Sequence, residues 1–210
     1  LELMIPSIVR LDILFESISL ILSLSIGSVS FFAWRRLGAR TLLLFALGFF
    51  LMAAAMLIRV VVVSLAFSPF FFSPPLRSLP FLVLQLQETV YSLIRLLSYI
   101  IFLYLYAAHP LKKSQGVALL APVSLIYNPF FEAVSAMILG FVVFQLATTS
   151  KEVRPSYGTA AFTLLLISHI LFIATPLSLN FYILAHFVQM LSLILFLTAV
   201  SMVLRHGERL

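Results

Sequence analysis

Long apolar segments separated by short polar ones dominate this 210-residue sequence. Hydrophobic residues make up 63% of the chain and charged residues 10%, whereas a soluble domain is about half apolar and about a quarter charged. There is therefore too little polar surface to cover a water-soluble globule. A run of about 20 apolar residues crosses a bilayer as a helix. The sequence thus predicts an all-α integral membrane protein, multi-pass in the cell membrane, with the lipid bilayer as its surroundings.

Seven apolar segments are predicted to cross the bilayer as helices. They cover residues 12–34, 41–67, 81–108, 116–127, 129–149, 157–175 and 177–204. Segment 4, residues 116–127, is roughly 18 Å long at about 1.5 Å per residue, against a hydrocarbon core of about 30 Å. It must therefore cross with a tilt or with the help of flanking residues. The alternative is that segment 4 does not cross.

Basic residues cluster at alternate ends of these segments. They form four groups: Arg35, Arg36 and Arg40; Lys112 and Lys113; Lys151 and Arg154; Arg205 and Arg209. If segment 4 crosses, all four groups lie on one face, as the positive-inside rule requires. If it did not cross, the third group would lie opposite the second. This pattern predicts seven crossings, with the N-terminus outside and the C-terminus inside. The same pattern explains the net charge of +6, because these basic residues determine the orientation in the membrane. No nucleic-acid partner is therefore indicated.

The second half of the chain resembles the first. Residues 131–135 (FEAVS) echo residues 15–19 (FESIS), and residues 163–166 and 41–44 both read TLLL. Three segments precede segment 4 and three follow it, which predicts a 3+1+3 parallel repeat about an axis along the membrane normal. The predicted organisation is an outer N-terminal segment (1–11), a first triplet (12–108), a linker helix (109–128), a second triplet (129–204) and a cytoplasmic tail (205–210).

The three-one-three layout resembles that of SWEET-type sugar transporters. That family characteristically has prolines within the first two helices of each triplet, whereas segments 1, 2, 5 and 6 have no internal proline. The resemblance is therefore architectural and implies no function.

Several functional classes are excluded or disfavoured by residues that the sequence lacks. There is no cysteine, which removes disulfides, thiolate catalysis and cysteine-held metal clusters. The lysines, Lys112, Lys113 and Lys151, lie between segments, so no retinal Schiff base is expected. No H-E-x-x-H or G-x-S-x-G motif is present, which favours a non-enzymatic role. The scarcity of asparagine, found at positions 128 and 180, favours a thermophilic source.

Ionisable and amide side chains inside the segments are the candidate site, because buried charges in a bilayer are costly and usually functional or paired. The predicted ligand- or ion-binding residues are Glu16, Arg59, Gln85, Glu88, Arg95, Glu132 and Gln189. Counted from the outer segment ends, most of them lie at a similar depth in the outer half, and Glu132 lies nearer the outer surface. Either a solvent-reached vestibule or a buried layer of ion pairs would produce this pattern.

Segment 3 carries the clearest polar face. Its polar residues follow spacings of three and four, which puts them on one side of a helix: Gln85, Glu88, Ser92, Arg95 and Tyr99. Glu88 and Arg95 are two turns apart, so each is expected to have a partner elsewhere. For Glu88 the predicted partner is Arg59, which lies at a similar depth on the adjacent segment. Arg95, roughly 22 Å from the outer end, suits an anion or a carboxylate, or extends to the inner face. The alternative is that this face only holds the bundle together.

Two histidines form the candidate metal or cofactor site. His169 and His186 lie on consecutive segments, at matching distances from the turn at Thr175 and Pro176. Two facing imidazoles could bind a metal ion or supply both axial ligands of a b-type haem. The alternative is that each histidine hydrogen-bonds across helices.

Three functional classes follow from these patterns. The first is a transporter, channel or small-ligand-binding membrane protein that uses the outer polar layer. The second is a haem- or metal-bearing redox subunit that uses His169 and His186. The third is a structural subunit of a homo-oligomer or a larger membrane complex, in which polar faces meet other chains. They are ranked in that order.

Overall fold

The computed structural model describes residues 4–66, 79–107, 129–149 and 157–207, and these ranges contain six α-helices, one 3-10 turn and no strand. The α-helices are α1 Met4–Leu37, α2 Arg40–Ala66, α3 Leu79–Ala107, α4 Pro129–Thr149, α5 Tyr157–Ile173 and α6 Leu179–Gly207, and the 3-10 turn is Thr175–Leu177. The predicted all-α class is confirmed for this part of the chain. Segment 4, residues 116–127, lies outside the described residues.

Among the described residues, five of the six helices are long and apolar enough to cross a membrane. The candidate spans are Leu11–Leu37, Arg40–Ala66, Val83–Tyr106, Pro129–Thr148 and Leu179–Arg205. The remaining helix, α5, is a shorter apolar helix of 17 residues. At about 1.5 Å per residue it measures roughly 26 Å, slightly less than the hydrocarbon core. The helices therefore suit a lipid environment.

The start of α1 differs most from the prediction. The helix begins at Met4 rather than at residue 12, so residues 4–11 belong to it. Pro6 does not stop this helix because proline is tolerated in the first turn, where its missing N–H would have no helical acceptor. Asp12 does not mark a helix end either, since it faces the protein interior and has polar partners there.

The six helices close into a ring. Each helix packs against the next one along the chain, and α6 packs against α1. At the ring's centre four fully buried phenylalanines meet: Phe49 of α2, Phe102 of α3, Phe162 of α5 and Phe196 of α6. Phe49 contacts Phe102 and Phe196 at centroid distances of 5.1 Å, and Phe162 contacts Phe102 at 5.6 Å and Phe196 at 4.6 Å. Such pairs add about 0.5–1.5 kcal/mol each beyond their buried area.

Two buried serines make equivalent bonds in the two halves of the ring. Ser98 of α3 donates to the carbonyl oxygen of Gly48 in α2 at 2.8 Å, and Ser192 of α6 donates to that of Ala161 in α5 at 2.8 Å. The backbone at Gly48 is also close to Phe102, whose ring a Cβ at this position would overlap. A glycine is therefore required here by the approach of α3 to α2.

Helices α1 and α6 run in the same direction. The Tyr182 hydroxyl of α6 contacts Asp12 of α1, and further along both helices Phe187 meets Phe15 at a centroid distance of 5.5 Å. Residue numbers therefore increase in the same direction along both helices, which shows that α1 and α6 are parallel.

Helices α3 and α4 also run in the same direction. Tyr99 of α3 meets His169, late in α5, whereas Phe102 meets Phe162, earlier in α5, so α3 and α5 are antiparallel. Glu132, near the start of α4, meets His169, near the end of α5, so α4 and α5 are antiparallel as well. The end of α3 and the start of α4 thus lie towards opposite ends of the bundle.

The surface of the bundle is apolar, and its interior holds polar and charged side chains beside the apolar core. Large hydrophobic side chains point outward on every helix, including Ile21 (63% exposed), Leu86 (63%) and Met137 (62%). Buried positions, in contrast, include several serines and charged residues. An apolar surface over an interior that contains charged side chains is the distribution expected for helices surrounded by lipid.

Candidate functional site

Charged and polar side chains from all six helices meet inside the ring, and we call them the interior polar network. Its members are Asp12 and Glu16 of α1, Arg59 of α2, Glu88, Tyr91, Arg95 and Tyr99 of α3, Glu132 of α4, His169 of α5, and Tyr182 and His186 of α6. On each helix, successive members are three or four residues apart, so they lie on one face of that helix.

Arg59 occupies one end of the network and faces three carboxylates. Its Nη1 donates to Glu88 Oε2 at 3.2 Å, and its Nη2 donates to Asp12 Oδ1 at 3.3 Å. Its Nε lies 3.6 Å from Glu16 Oε1. The predicted pairing of Arg59 with Glu88 is therefore present, and Arg59 also bonds to α1. Between 12% and 20% of the Asp12, Arg59 and Glu88 side chains is exposed, so this end is partly accessible.

Tyr91 joins this end to the rest of the network. Its hydroxyl donates to Glu16 Oε1 at 3.2 Å and accepts from Arg95 Nη1 at 3.1 Å. The guanidinium carbons of Arg59 and Arg95 lie 4.9 and 4.8 Å from its ring centroid. A tyrosine ring at these distances attracts both cations through its negative face. Tyr91 thus connects two arginines that would otherwise repel each other.

Glu132 organises the other, fully closed end. Its Oε1 accepts from Arg95 Nη2, and its Oε2 lies 2.5 Å from His169 Nδ1. The second nitrogen of His169 lies 2.7 Å from the Tyr99 hydroxyl. Because a carboxylate only accepts, His169 carries its proton on Nδ1, and Nε2 then accepts from the Tyr99 O–H. Glu132, Arg95 and His169 are each at most 5% exposed, so this end is shielded.

His186 lies beside the first end but is bonded differently. Its Nε2 is 3.8 Å from Asp12 Oδ1, and its ring stacks on Phe15 at 5.1 Å. The Tyr182 hydroxyl donates to the same Asp12 oxygen. His186 is 1% exposed, and neither of its ring nitrogens has a hydrogen-bond partner; the same is true of Glu16 Oε2. A buried polar atom without a partner costs about 1–3 kcal/mol.

The structure brings most of the predicted site residues together. Glu88, Arg59, Glu16, Arg95, Glu132 and His169 belong to one chain of bonds and ion pairs that runs through Tyr91 and ends at Tyr99. The two predicted glutamines lie one turn away on the same helices: Gln85, half-buried, precedes Glu88, and Gln189, buried, follows His186.

The predicted depths of Arg95 and Glu132 are wrong relative to each other. Counting from the segment ends placed Arg95 deep in the bilayer and Glu132 near its outer surface, yet the two side chains are directly bonded. The count assumed that all helices begin in one plane. The start of α4 instead packs against the middle of α3, which brings Glu132 to Arg95.

The two histidines do not share a polar partner. His169 binds Glu132 and Tyr99, whereas His186 lies beside Asp12, and the ring of Phe172 contacts both, at 6.2 and 4.9 Å. Both nitrogens of His169 are engaged, so joint ligation of a haem or metal would have to break these bonds. Such a group held by both histidines remains a prediction.

Four network members were not among the predicted site residues: Asp12, Tyr91, Tyr99 and Tyr182. Tyr99 was named only as part of the polar face of segment 3. Helical spacing is the signal that identifies the other three, since each lies four residues before a site residue on the same helix: Glu16, Arg95 and His186. Residues at this spacing share a face. Asp12 was treated as a helix end, and Tyr91 and Tyr182 were not distinguished from other aromatic residues.

Within the described residues the network contains more carboxylates than guanidinium groups. Four acids, Asp12, Glu16, Glu88 and Glu132, face two arginines, Arg59 and Arg95. When all four acids are ionised, two negative charges lack an arginine. Protons or a bound cation can balance these two negative charges.

Comparison with known proteins identifies no relative: no family model, no curated protein and no solved structure matches this chain. Its function is therefore inferred from the geometry and charge of the interior polar network.

Proposed function

We propose that this protein is a membrane transporter that binds a small cation, or protons, in the interior polar network. The observation that carries the proposal is the excess of two carboxylates over guanidinium groups among six apolar helices. Uncompensated charge is costly at membrane depth, about 2.5–3.5 kcal/mol even on the mildest scales. A bundle that only needed cohesion would be served by neutral hydrogen bonds between helices.

The network's two ends differ in a way that suits transport. Its Arg59 end is partly accessible, whereas its Glu132 end is closed. A cation that reaches Glu16 or Asp12 competes with Arg59, which can keep its bond to Glu88 while releasing α1. Tyr91 bonds both Glu16 and Arg95. Displacement of Arg59 from Glu16 would therefore alter the contacts of Arg95 at the closed end. Binding is thereby linked to the interface between α3 and α4.

The predicted seven-crossing topology is part of this proposal. Since α3 and α4 run in the same direction, the end of α3 and the start of α4 lie at different levels of the bundle, the start of α4 being beside the middle of α3. In hydrocarbon a backbone has to satisfy its own hydrogen bonds, which favours a helix at segment 4. With the positive-inside rule this puts the N-terminus outside and the C-terminus in the cytoplasm.

The proposed parallel repeat is supported by matched interactions. The bond from Ser98 to Gly48 corresponds to that from Ser192 to Ala161, and the cycle of four phenylalanines maps onto itself when the triplets are exchanged. In this pairing residues 41–44 correspond to 154–157, so the TLLL match at 163–166 is not part of the repeat.

A flux assay tests the function. Protein reconstituted in vesicles should carry protons or a metal cation down an imposed gradient, measured with an internal fluorescent indicator. Glu88→Gln should abolish flux without unfolding the protein, because it removes the partly accessible carboxylate that holds Arg59. Glu152→Gln, the same change in a predicted loop, is the matched control.

Two other outcomes would replace the proposal. If Glu88→Gln lowers the melting temperature and leaves flux unchanged, the network is structural and the chain belongs to the class of complex subunits. A Soret absorption band in the purified protein would instead favour the redox class.

A further inference from the structure

We propose that Asp12, Glu16 and His186 form a binding site for one divalent transition-metal ion. One ligand atom from each residue can be chosen so that all three lie within 4.8 Å of one another. The inference deepens the proposed function by naming the class of cation, and its transport aspect rests on that function. The binding site itself rests only on the geometry of α1 and α6.

Unpartnered atoms distinguish this cluster from an ordinary acidic group. Glu16 Oε2 and both nitrogens of His186 have no hydrogen-bond partner, although these residues are only 2% and 1% exposed. Each such atom costs about 1–3 kcal/mol in a buried position. A metal ion between α1 and α6 would give both residues a ligand bond and would remove this cost.

The second triplet provides a contrast. Glu132 and His169 form a similar carboxylate–imidazole pair, but both oxygens of Glu132 and both nitrogens of His169 are already bonded. Only the pair formed by Glu16 and His186 retains free lone pairs directed into the protein. The two pairs thus differ in the property that metal binding requires.

The donor atoms determine the class of metal. Two carboxylates and one imidazole suit Mn²⁺, Fe²⁺, Co²⁺ or Zn²⁺, whereas Ca²⁺ and Mg²⁺ prefer oxygen ligands alone. Bonds of about 2.0–2.1 Å place tetrahedral ligands about 3.3 Å apart. The 3.8 Å between Asp12 Oδ1 and His186 Nε2 is close to this value. The largest separation that the three ligand atoms can have is 4.8 Å, and atoms that far apart would have to approach each other by about 1.5 Å. Rotation of the Asp12, Glu16 and His186 side chains would supply this contraction when the ion binds.

Neighbouring groups orient the ligands and compensate the charge. The Tyr182 hydroxyl holds Asp12, and Phe15 stacks on the imidazole of His186. Such contacts around a metal ligand fix its orientation. Arg59 opposes the metal because it lies 3.3 Å from Asp12 and 3.6 Å from Glu16. Its bond to Glu88 offers an alternative position, and the two surplus negative charges match one divalent ion.

Metal titration of the purified protein tests the site. The parent protein carries no histidine tag and has His109 and His206 replaced by glutamine, so that His169 and His186 are its only imidazoles. After chelation and dialysis, Mn²⁺ is titrated and its free concentration is followed by electron paramagnetic resonance; Zn²⁺ is titrated by calorimetry. One ion per chain should bind, and His186→Gln should weaken binding at least tenfold. The control variant Tyr104→Phe, at a 65% exposed residue of α3 outside the interior polar network, should change it less than threefold.

Other results would overturn the site. These are the absence of saturable binding in the parent protein, or an equal loss of affinity in both variants. As a second measurement, saturating Mn²⁺ should raise the melting temperature of the parent but not of His186→Gln; an equal rise in both would also count against the site.

Binding and transport can fail separately. Saturable binding in detergent without flux of either metal or protons into vesicles would keep the site and refute the transport proposal. Proton flux in vesicles without metal binding would keep the transport proposal and refute the site.

Discussion

Arg95 of α3 donates a hydrogen bond to Glu132 of α4, and this buried ion pair joins the first three described helices to the last three. The two side chains are 4% and 7% exposed. His169 occupies the other oxygen of the same carboxylate, so Glu132 connects α3, α4 and α5. This connection is part of the chain of contacts that runs from Arg59 through Tyr91 and Arg95 and ends at Tyr99.

Removing one partner of this pair should be more harmful than removing both. Arg95→Met leaves Glu132 buried without its cation, which costs about 3–5 kcal/mol. The double variant Arg95→Met with Glu132→Gln removes the uncompensated charge and should recover at least half of that loss. Denaturant unfolding in detergent measures both values. A double variant less stable than either single variant would contradict the pairing.

Tyr99→Phe should destabilise the protein by about 1 kcal/mol, because it removes the O–H that His169 Nε2 accepts and leaves that nitrogen buried without a partner. The matched control is Tyr104→Phe, on the same helix but 65% exposed, which should change stability by less than about 0.5 kcal/mol. The melting temperatures of the two variants give the comparison. Equal effects would mean that the tyrosine–histidine bond adds nothing.

Gly48→Ala should destabilise the protein, since the new Cβ would overlap the Phe102 ring at the centre of the bundle. Over-packing of this kind typically costs about 1–3 kcal/mol. Gly140→Ala on α4 is the control: its Cβ would meet nothing within 4 Å, and alanine is better than glycine in a helix by about 0.5–1 kcal/mol. The two variants should therefore shift the unfolding midpoint in opposite directions. The close approach is refuted if Gly48→Ala is as stable as the parent protein.

A pair of topology reporters tests the seven-crossing proposal. A reporter fused after Arg209 should report from the cytoplasm, and one inserted within residues 73–78 should report from outside, because an odd number of crossings separates them. Protease protection in sealed vesicles provides the readout. Reporters on the same side would mean an even number and would refute the proposed topology.

The pairing of Arg59 with Glu88 could be predicted because it depends on counting along two antiparallel helices. These helices are adjacent in the sequence, and depth from the outer ends places the two residues opposite each other. The chain from Arg95 to Glu132 and His169 could not be predicted in this way. It depends on how far α4 is shifted along α3, and residues far apart in sequence determine that shift.

The contacts of each histidine could not be predicted from the sequence either. His169 and His186 lie at matching distances from one turn, but the rotation of α5 and α6 about their axes decides which groups they meet. Both helices are apolar on nearly all sides, and lipid accepts leucine as readily as the protein interior does. No amphipathic pattern therefore indicates which face turns inward.

The sequence by itself determined the helical class of the described chain and, apart from the start of α1, the helix ends to within a few residues. The physical reason is that apolar backbone in lipid must satisfy its own hydrogen bonds, which a helix does locally. Only the tertiary structure decided that α1 and α6 close a ring, that four phenylalanines meet at its centre, and that Glu16 and His186 are brought together with unpartnered atoms. These features arise from packing between distant helices, where shape and polar pairing, rather than hydrophobicity, select the neighbours.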